Sequence, residues 1–276
     1  MPELPEVETV RRLLEPDLVG RRIESVTVGW ARSLGDTTPA RFRRAVVGRR
    51  VSSIRRRGKY LLFDLDDGRV LVGHLRMSGR MHVEPGDAKP SPWCRVAFDL
   101  DDGRRFEFVD VRKFGRLEHA HSDDERLPDL GPEPLDADFT AERFRQGLRS
   151  RRRMLKPLLL DQSFVAGLGN IYVDEALFGA GLHPLRRSDR VPKARAELLH
   201  AVIRKTLEEA IEREGSSFDT FYRTPEGQPG SYQHQFQVYG RDGKPCRRCG
   251  REIRKIVVGQ RGTHLCTRCQ PAPRVR

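Results

Sequence analysis

The heptad FDLDDGR occurs twice in the chain, at residues 63–69 and again at residues 98–104. In each copy an Asp-Gly pair lies between alternating apolar runs, which is a strong short-range signal for a β-hairpin. Strand-like alternation also occurs elsewhere in residues 20–120, as in Val26, Val28 and Trp30. We therefore predict two similar hairpins within one β-rich N-terminal domain, folded as a sandwich or a flattened barrel.

Helical patterns flank this β-rich region. A short helix is predicted over residues 5–14, where Pro5 suits a first helical turn. The Pro- and Asp-rich segment 124–140 is predicted to be a linker, and four helical periods follow it, at 141–148, 154–162, 172–180 and 193–213. The Gly/Ser/Pro-rich stretch 215–233 is long for a loop, which indicates a functional or mobile segment. The predicted domains are residues 1–130, 131–234 and 235–276.

The charge of the chain points to a polyanionic partner. The 276 residues carry a net charge of +13, with a mean hydropathy of −0.62. From Arg241 to Arg276 there are 11 Lys and Arg against two Asp and Glu, a net +9. Such a concentration favours DNA, RNA or anionic lipid. No run approaches the roughly 20 apolar residues of a membrane span, and the acidic N-terminus lacks the apolar core of a secretory signal, so an intracellular location is expected.

Four cysteines near the end of the chain have the spacing C-x2-C-x16-C-x2-C: Cys246, Cys249, Cys266 and Cys269. Paired knuckles of this kind are typical of one structural Zn²⁺ held by four thiolates. Two disulfides or free thiols are the alternatives, and a reducing cytosol disfavours the disulfides. Between the knuckles we predict two short strands joined by a turn with Gln260 and Arg261 at its tip. Two roles are open for Arg261 at this tip: it contacts a phosphate, or it is a solvated surface charge.

The N-terminus MPELPEVETV offers a candidate nucleophile. Removal of Met1 is expected before a small residue such as proline, and it would leave Pro2 with a secondary amine. An α-amino group has a pKa of about 7.7–8.0, so a usable fraction is neutral near pH 7 and can attack an electrophilic sugar carbon. Glu3 and Glu6 lie close by and could move protons. The alternative is an inert N-terminus whose acids cap a helix.

A basic run lies at Arg151, Arg152, Arg153 and Lys156. It is either a solvated helix face or a second contact to a phosphate backbone. Asp174 and Glu175, which follow the glycine-containing turn AGLGN at 166–170, are predicted to be structural and not catalytic.

Seven further motifs extend the pattern of the N-terminal segment PELPEVETV: RRRGKYLLF (55–63), HLRMSG (74–79), DVRKFG (110–115), LGPEPL (130–135), LLLDQSFVAGLGNIYVDEALF (158–178), VYGRDGKPCRRCG (238–250) and RGTHLCTRCQ (261–270). In this order they resemble the formamidopyrimidine-DNA glycosylases, the bacterial enzymes that remove oxidised purines. The related endonuclease VIII group has glycine at the position of Leu4. The resemblance runs the length of the chain.

The resemblance implies an α+β multidomain fold. It consists of an N-terminal β-sandwich with a short N-terminal helix, a helical helix–two-turn–helix domain, and a C-terminal β-hairpin zinc finger. It also implies four catalytic residues. Pro2 would be the nucleophile, Glu3 the acid/base, Glu6 a second active-site carboxylate, and Lys59 a contact to the phosphate at the lesion.

The same resemblance implies six DNA-binding residues: His74, Met77, Arg112, Phe114, Asn170 and Arg261. His74, Asn170 and Arg261 would hold phosphates that flank the lesion. The other three would enter the duplex and fill the space left by the extruded nucleotide, because flipping a base out requires something to occupy the void. Without the resemblance, core positions for Met77 and Phe114 and a surface position for Arg112 are the alternatives. The segment 215–224 matches the loop that closes over the flipped base.

The implied function is a bifunctional DNA glycosylase and AP lyase. It would excise 8-oxoguanine and formamidopyrimidines from damaged double-stranded DNA bound between the domains, and then cut the strand by β,δ-elimination. The expected protein is a monomer with one structural zinc and no nucleotide cofactor, in the bacterial cytoplasm with the nucleoid. The alternatives are a non-catalytic damage binder of the same fold, a glycosylase shifted toward oxidised pyrimidines, and an RNA- or ribosome-binding zinc-ribbon protein.

Overall fold

The computed structural model describes residues 1–217 and 222–273. The chain forms two compact units. The first comprises Met1–Pro128 with Arg213–Ser231, and the second comprises Asp129–Glu212 with the chain from Tyr232 onward. The domain boundaries at residues 130 and 234 stay a prediction.

Among its described residues, the first unit contains two α-helices and two four-stranded antiparallel sheets. The helices are α1 (Leu4–Leu18) and α2 (Pro39–Val46), and the eight strands are β1 (Ile23–Val28), β2 (Val51–Arg57), β3 (Tyr60–Leu65), β4 (Val70–His74), β5 (Gly79–Pro85), β6 (Cys94–Leu100), β7 (Arg104–Asp110) and β8 (Arg116–Ala120). One sheet has the order β1-β6-β7-β5 and the other has the order β2-β3-β4-β8.

The two FDLDDGR heptads form the two predicted hairpins. The first connects β3 to β4 and the second connects β6 to β7, so each hairpin supplies the central strands of one sheet. Their turns share one geometry. Gly68 and Gly103 have φ of +83° and +78°, which glycine adopts without a steric cost. Asp67 and Asp102 each accept a backbone N–H two residues on, at 3.1 Å.

The core of this unit lies between the two sheets. Phe63 of one sheet meets Phe106 of the other with ring centroids 5.6 Å apart, and Phe106 stacks on Phe98 at 5.4 Å. Helix α1 adds Val7 and Leu14 to the same buried cluster. The sandwich is confirmed over the flattened barrel, because the strands form two separate sheets.

Two details of the expected secondary structure were wrong. Helix α2 lies within residues 20–120, where the sequence pattern predicted strands. Its start has an ordinary sequence signal, because the Thr38 hydroxyl accepts the backbone N–H of Arg41 at 3.3 Å and Pro39 occupies the first turn. Phe42, a residue of this helix, is fully buried. Helix α1 also extends past residue 14 to Leu18 and includes Pro16.

The second unit is mainly helical and ends in a hairpin. Its helices are α3 (Ala141–Arg151), α4 (Leu155–Leu159), α5 (Asn170–Gly179) and α6 (Lys193–Glu212), and its strands are β9 (Arg254–Val258) and β10 (Arg261–Leu265). Gly259 and Gln260 connect the strands with φ of +55° and +62°. Two successive positive φ angles are typical of a type I′ hairpin turn. Across the described residues, no helix is long and apolar enough to cross a membrane.

Candidate active site and nucleic-acid interface

The N-terminal segment is buried at the start of α1. Glu3 is 3% exposed and Glu6 is 2% exposed, and Pro2 is buried beside them. Glu3 is the N-cap residue, and its backbone N–H donates to Glu6 Oε2 at 2.8 Å. Glu6 therefore caps the helix, which is the role that the alternative interpretation of the N-terminal acids predicted. The same hydrogen bond also fixes the backbone next to Pro2.

Lys59 and His74 are brought together by strand register. Lys59 lies in the tight β2–β3 turn after Gly58, whose φ is +57°. His74 is the last residue of β4, and the pairing of Leu61 with Gly73 places it next to that turn. Both side chains are only 6% exposed.

His74 is held as a neutral imidazole with a defined tautomer. Burial lowers the pKa of His74 to about 3, and the positive charges of Arg76 and Lys59 act in the same direction. The backbone N–H of Arg76 donates to His74 Nδ1 at 2.9 Å. Because Nδ1 accepts, the ring proton must be on Nε2. His74 can thus offer one uncharged N–H donor to a ligand oxygen.

Met77, Arg112 and Phe114 lie together on two neighbouring turns. The pairing of Gly79 with Asp110 brings the turn after β4 beside the turn after β7. Arg112 Nη1 lies 3.2 Å from Met77 Sδ, and its guanidinium carbon lies 4.9 Å from the Phe114 ring centroid. Met77 is 39% exposed and Phe114 is 51% exposed, so neither belongs to the core. Their entry into a duplex stays a prediction.

A buried carboxylate that the sequence analysis missed holds these two turns together. Asp110 is fully buried, and Ser78 Oγ donates to its Oδ1 at 2.5 Å. The backbone N–H of Arg112 donates to Ser78 Oγ at 3.1 Å, and the N–H of Gly115 donates to Asp110 Oδ2 at 2.7 Å. The available signal was an Asp at the start of a turn, because Asp commonly accepts the backbone N–H two residues on.

An aromatic side chain holds the same turn from another direction. Lys113 has a φ of +61°, and its ammonium lies 4.2 Å from the centroid of the Trp30 ring. That distance is within the range of a cation–π contact. Lys113 stands between Arg112 and Phe114, so the contact restrains both neighbours.

In the second unit, Asn170 and the hairpin tip meet at one carbonyl. Asn170 is the first residue of α5, and its Nδ2 donates to the carbonyl of Gly262 at 3.0 Å. Lys156 Nζ donates to the same carbonyl at 3.0 Å. Gly262 follows Arg261, whose exposed side chain leaves the hairpin at this point. The Asn170 side chain therefore contacts the hairpin backbone directly next to Arg261.

Lys156 is not a DNA contact, and both interpretations of the basic run were wrong for this residue. Its side chain is fully buried and forms an ion pair with the fully buried Asp174 at 2.7 Å. Asp174 also accepts the backbone N–H of His264 in β10 at 2.8 Å. The physical reason is that α4 packs its Lys156 side inward, against α5 and the hairpin.

Glu175 fixes the chain segment that leads into the cysteines. It accepts the backbone N–H groups of Gln237, Val238 and Tyr239 at 2.8–2.9 Å. Burial raises the pKa of Glu175, and these three donors oppose that effect. The prediction that Asp174 and Glu175 are structural is confirmed, because both bind the zinc-finger segment to α5.

The four cysteine sulfurs form one cluster. All four ligand atoms lie within 4.8 Å of one another, with Cys249 and Cys266 at 3.4 Å and Cys246 and Cys269 at 4.0 Å. A tetrahedral Zn²⁺ with bonds of about 2.3 Å places its sulfurs about 3.8 Å apart, whereas a disulfide needs about 2.05 Å. The arrangement fits one structural zinc and excludes the two disulfides.

The remaining cysteine, Cys94, lies outside this cluster. Cys94 is half-buried, and burial raises the pKa of its thiol to about 12, with the Glu107 carboxylate adding to the effect. A thiol of this kind is inert near neutral pH.

Comparison with known families covers most of the chain. Residues 1–117 match the Formamidopyrimidine-DNA glycosylase N-terminal domain, and residues 130–222 match the Formamidopyrimidine-DNA glycosylase H2TH domain. Residues 243–272 match the zinc finger found in FPG and IleRS. Together with the sandwich and the cysteine cluster, these matches define the class, a zinc-finger DNA glycosylase. The chain belongs to the formamidopyrimidine-DNA glycosylase family.

Individual relatives agree with this assignment. Formamidopyrimidine-DNA glycosylase of Symbiobacterium thermophilum is 47% identical over 99% of this chain and 90% of the relative. The Bacillus licheniformis protein of the same name is 45% identical over 98% of this chain and 99% of the relative. Among solved structures, a Lactococcus lactis FPG mutant in complex with Fapy-dG-containing DNA has a TM-score of 0.91 at 41% identity, covering 98% of this chain and all of that one. Lactococcus lactis Fpg with abasic-site DNA has a TM-score of 0.90 at the same identity and coverage.

Proposed function

We propose that the protein is a bifunctional glycosylase and AP lyase that excises oxidised purines, 8-oxoguanine and formamidopyrimidines, from duplex DNA. The observation that carries the proposal is the buried Pro2–Glu3 segment, held by Glu6, in a chain that matches the family along its whole length. Relatives named for this activity, and a solved relative bound to Fapy-dG DNA, support the substrate class. With such a substrate, we propose that the protein acts in the bacterial cytoplasm at the nucleoid.

The proposed chemistry begins at the N-terminal amine. While Met1 is attached, the Pro2 nitrogen is an amide, so the enzyme must lose Met1 before it can act. The neutral secondary amine then attacks C1′, the bond from C1′ to the base breaks, and the base leaves with the amine proton. Protonation of the ring oxygen O4′ then breaks the C1′–O4′ bond, which opens the sugar and leaves C1′ double-bonded to the Pro2 nitrogen as an iminium. The resulting iminium acidifies the C2′ protons. Loss of one of them breaks the 3′ C–O bond, and a second elimination breaks the 5′ C–O bond.

The other predicted residues divide between acid/base work and holding DNA. Glu3 is placed next to the nucleophile, where it can protonate the deoxyribose ring oxygen. Lys59 and the Nε2–H of His74 would bind phosphate oxygens near the lesion, as a charged and a neutral donor respectively. In the other unit, Asn170 and Arg261 would bind further phosphates.

Met77, Arg112 and Phe114 suit the void that an extruded nucleotide leaves. A flexible thioether and an aromatic ring can replace lost stacking, and a guanidinium can hydrogen-bond the unpaired base of the opposite strand. The four cysteines would hold zinc for structure alone, because four thiolates leave no open coordination position for chemistry.

Borohydride trapping tests the proposal. The protein is incubated with a duplex that carries one 8-oxoguanine opposite cytosine, and reduction should fix the iminium as a covalent adduct that peptide mapping assigns to Pro2. The Pro2→Gly variant should bind the duplex but cut the strand far more slowly.

The contrary outcomes separate the alternatives. An adduct with abasic DNA but not with 8-oxoguanine indicates a lyase that reads another lesion, such as an oxidised pyrimidine. No adduct with either DNA, in a preparation whose intact mass shows that Met1 is gone, would identify a non-catalytic damage binder.

A further inference from the structure

We infer that Glu6 is a positioning residue that couples the neck of the 215–230 loop to the N-terminal segment carrying Pro2 and Glu3. The inference rests on the proposed function. It goes beyond that function because it assigns both carboxylate oxygens of Glu6 to backbone contacts on two different segments. The neck consists of residues 213–217 and 222–231, which belong to the sandwich unit.

The two oxygens of Glu6 hold separate parts of the chain. Oε2 accepts the backbone N–H of Glu3 at 2.8 Å. Oε1 accepts the backbone N–H of Ser216 at 2.8 Å and the Ser216 hydroxyl at 3.2 Å. One buried side chain thus connects residue 3 with residue 216, so a displacement of the neck moves an acceptor on which the backbone beside Pro2 depends.

The neck itself is held by its own contacts. Ser216 bridges to Ser231, and the Ser217 hydroxyl donates to the carbonyl of Tyr222 at 2.9 Å while accepting the N–H of Gly230 at 3.0 Å. Tyr222 is 4% exposed and packs in the sandwich core. Burial raises the pKa of its hydroxyl, which stays protonated and donates to the carbonyl of Glu214 at 3.0 Å. A neck held in this way transmits a shift instead of absorbing it.

Gly215 shows how close this contact is. Its φ is +77°, and a Cβ built there would lie 2.8 Å from both Cγ and Oε1 of Glu6. Glu6 is enclosed and bound at both oxygens, so an added methyl group can be accommodated only if the carboxylate or the backbone around Gly215 moves. Such a movement breaks the contact to Ser216, the contact to Glu3, or both.

Gly227 supplies a matched control in the same loop. Its φ is +81°, but a Cβ there meets nothing within 4 Å. Gly215→Ala and Gly227→Ala both place an L-residue at a similar positive φ, and only the first brings a Cβ against Glu6. Any difference between the two variants reports on the Glu6 contact.

The experiment is single-turnover borohydride trapping on abasic-site duplex, where no base is present for the loop to cover. We expect Gly215→Ala to slow trapping by about 100-fold at saturating DNA with an unchanged Kd, because displacements of about 1 Å at a reacting group cost that much. Gly227→Ala should stay within about twofold of the wild type. Ser216→Ala, which removes the hydroxyl donor and keeps the N–H, should slow trapping about fivefold, as expected for one hydrogen bond, while Ser231→Ala should not.

Three results would overturn the coupling while leaving the proposed function intact. They are equal rates for the two glycine variants, slowing of Gly215→Ala on 8-oxoguanine duplex alone, and a loss confined to Kd. If Gly215→Ala fails to fold, the comparison of Ser216→Ala with Ser231→Ala decides the question in the same way. A wild-type protein that traps on neither DNA would instead overturn the proposed function, and the coupling with it.

Discussion

Replacing Lys156 with methionine should destabilise the helical unit severely. Lys156 and Asp174 are both fully buried and 2.7 Å apart. Methionine matches the length of the lysine side chain, but it leaves the Asp174 carboxylate buried without its cation. Removing one partner of a buried pair costs about 3–5 kcal/mol, a large share of the roughly 5–15 kcal/mol by which a domain is stable.

The surrounding contacts refine this magnitude. After Lys156→Met, Asp174 still accepts the N–H of His264 at 2.8 Å, and Gly262 keeps its bond from Asn170 at 3.0 Å. Replacing Asp174 as well, by leucine, removes the buried charge but leaves the His264 N–H unpaired, at a cost of about 1–3 kcal/mol. The double variant should therefore be about 2 kcal/mol more stable than Lys156→Met alone.

Thermal unfolding, followed together with zinc release to a coloured chelator, measures these differences. Lys156→Met should lower Tm by on the order of 10 °C, and zinc should be released at the same lower temperature. Lys205→Met is the control, because Lys205 is 75% exposed in an ion pair with Glu209 and should matter by less than about 1 kcal/mol. The reasoning fails if Lys156→Met also costs less than about 1 kcal/mol, or if the two losses in the double variant simply add.

Other substitutions probe two of the four predicted phosphate contacts, the zinc site and the turn that carries Arg112. Arg261→Ala should weaken duplex binding and reduce the slope of log K against log salt by about one, whereas His74→Gln should weaken binding at an unchanged slope, because the imidazole is neutral; equal slopes for both would refute the difference. The unfolded chain protonates His74 below about pH 6.5 and the folded protein does not, so stability should fall as pH drops from 6.5 to 5, by about 2 kcal/mol from this residue; denaturation of His74→Gln should show a correspondingly weaker pH dependence. Cys249→Ala should lose zinc and duplex affinity together, as metal analysis and binding titration would show, since metal binding couples to folding. Ser78→Ala, which removes a donor to Asp110, should reduce the preference for cytosine opposite the lesion, while trapping on abasic DNA stays within about threefold; an unchanged preference would argue against a role in placing Arg112.

Sequence predicted the features that depend on neighbours along the chain. Each FDLDDGR copy contains its own turn residues, so the sequence of seven residues is enough to predict a hairpin. The structure places both hairpins at the centres of their sheets. The cysteine spacing predicts the metal cluster for the same reason, because each knuckle is local. Helix α2 carried a local signal too, in Thr38 and Pro39, but the strand pattern around it obscured that signal.

Contacts between distant segments could not be predicted in this way. Lys156 lies in a run of arginines that reads as a solvated face, and only the packing of α4 shows that it is buried. The bond from Ser78 to Asp110 joins residues 32 positions apart, and the bond from Ser216 to Glu6 joins residues 210 positions apart. No spacing rule reaches that far, so the sequence names the candidate site residues but not the residues that position them.

Three buried carboxylates share one structural role, because each accepts backbone N–H groups of a segment that carries a predicted site residue. Glu6 fixes the segment of Pro2, Asp110 fixes the turn of Arg112, and Asp174 fixes the hairpin that presents Arg261. A buried carboxylate is a poor source of stability, because well-packed apolar side chains often do as well or better. A carboxylate does, however, accept backbone N–H groups at fixed distances and directions, whereas apolar packing tolerates sliding. Catalytic groups need placement within about 0.5 Å. The directional hydrogen bonds of a buried carboxylate supply that placement, which offsets the free-energy cost of removing the carboxylate from water. Apolar substitutions at Glu6 and Asp110 that preserve folding should therefore reduce activity far more than they reduce stability, whereas an apolar residue at Asp174 alone also leaves Lys156 buried without its anion and should destabilise the unit.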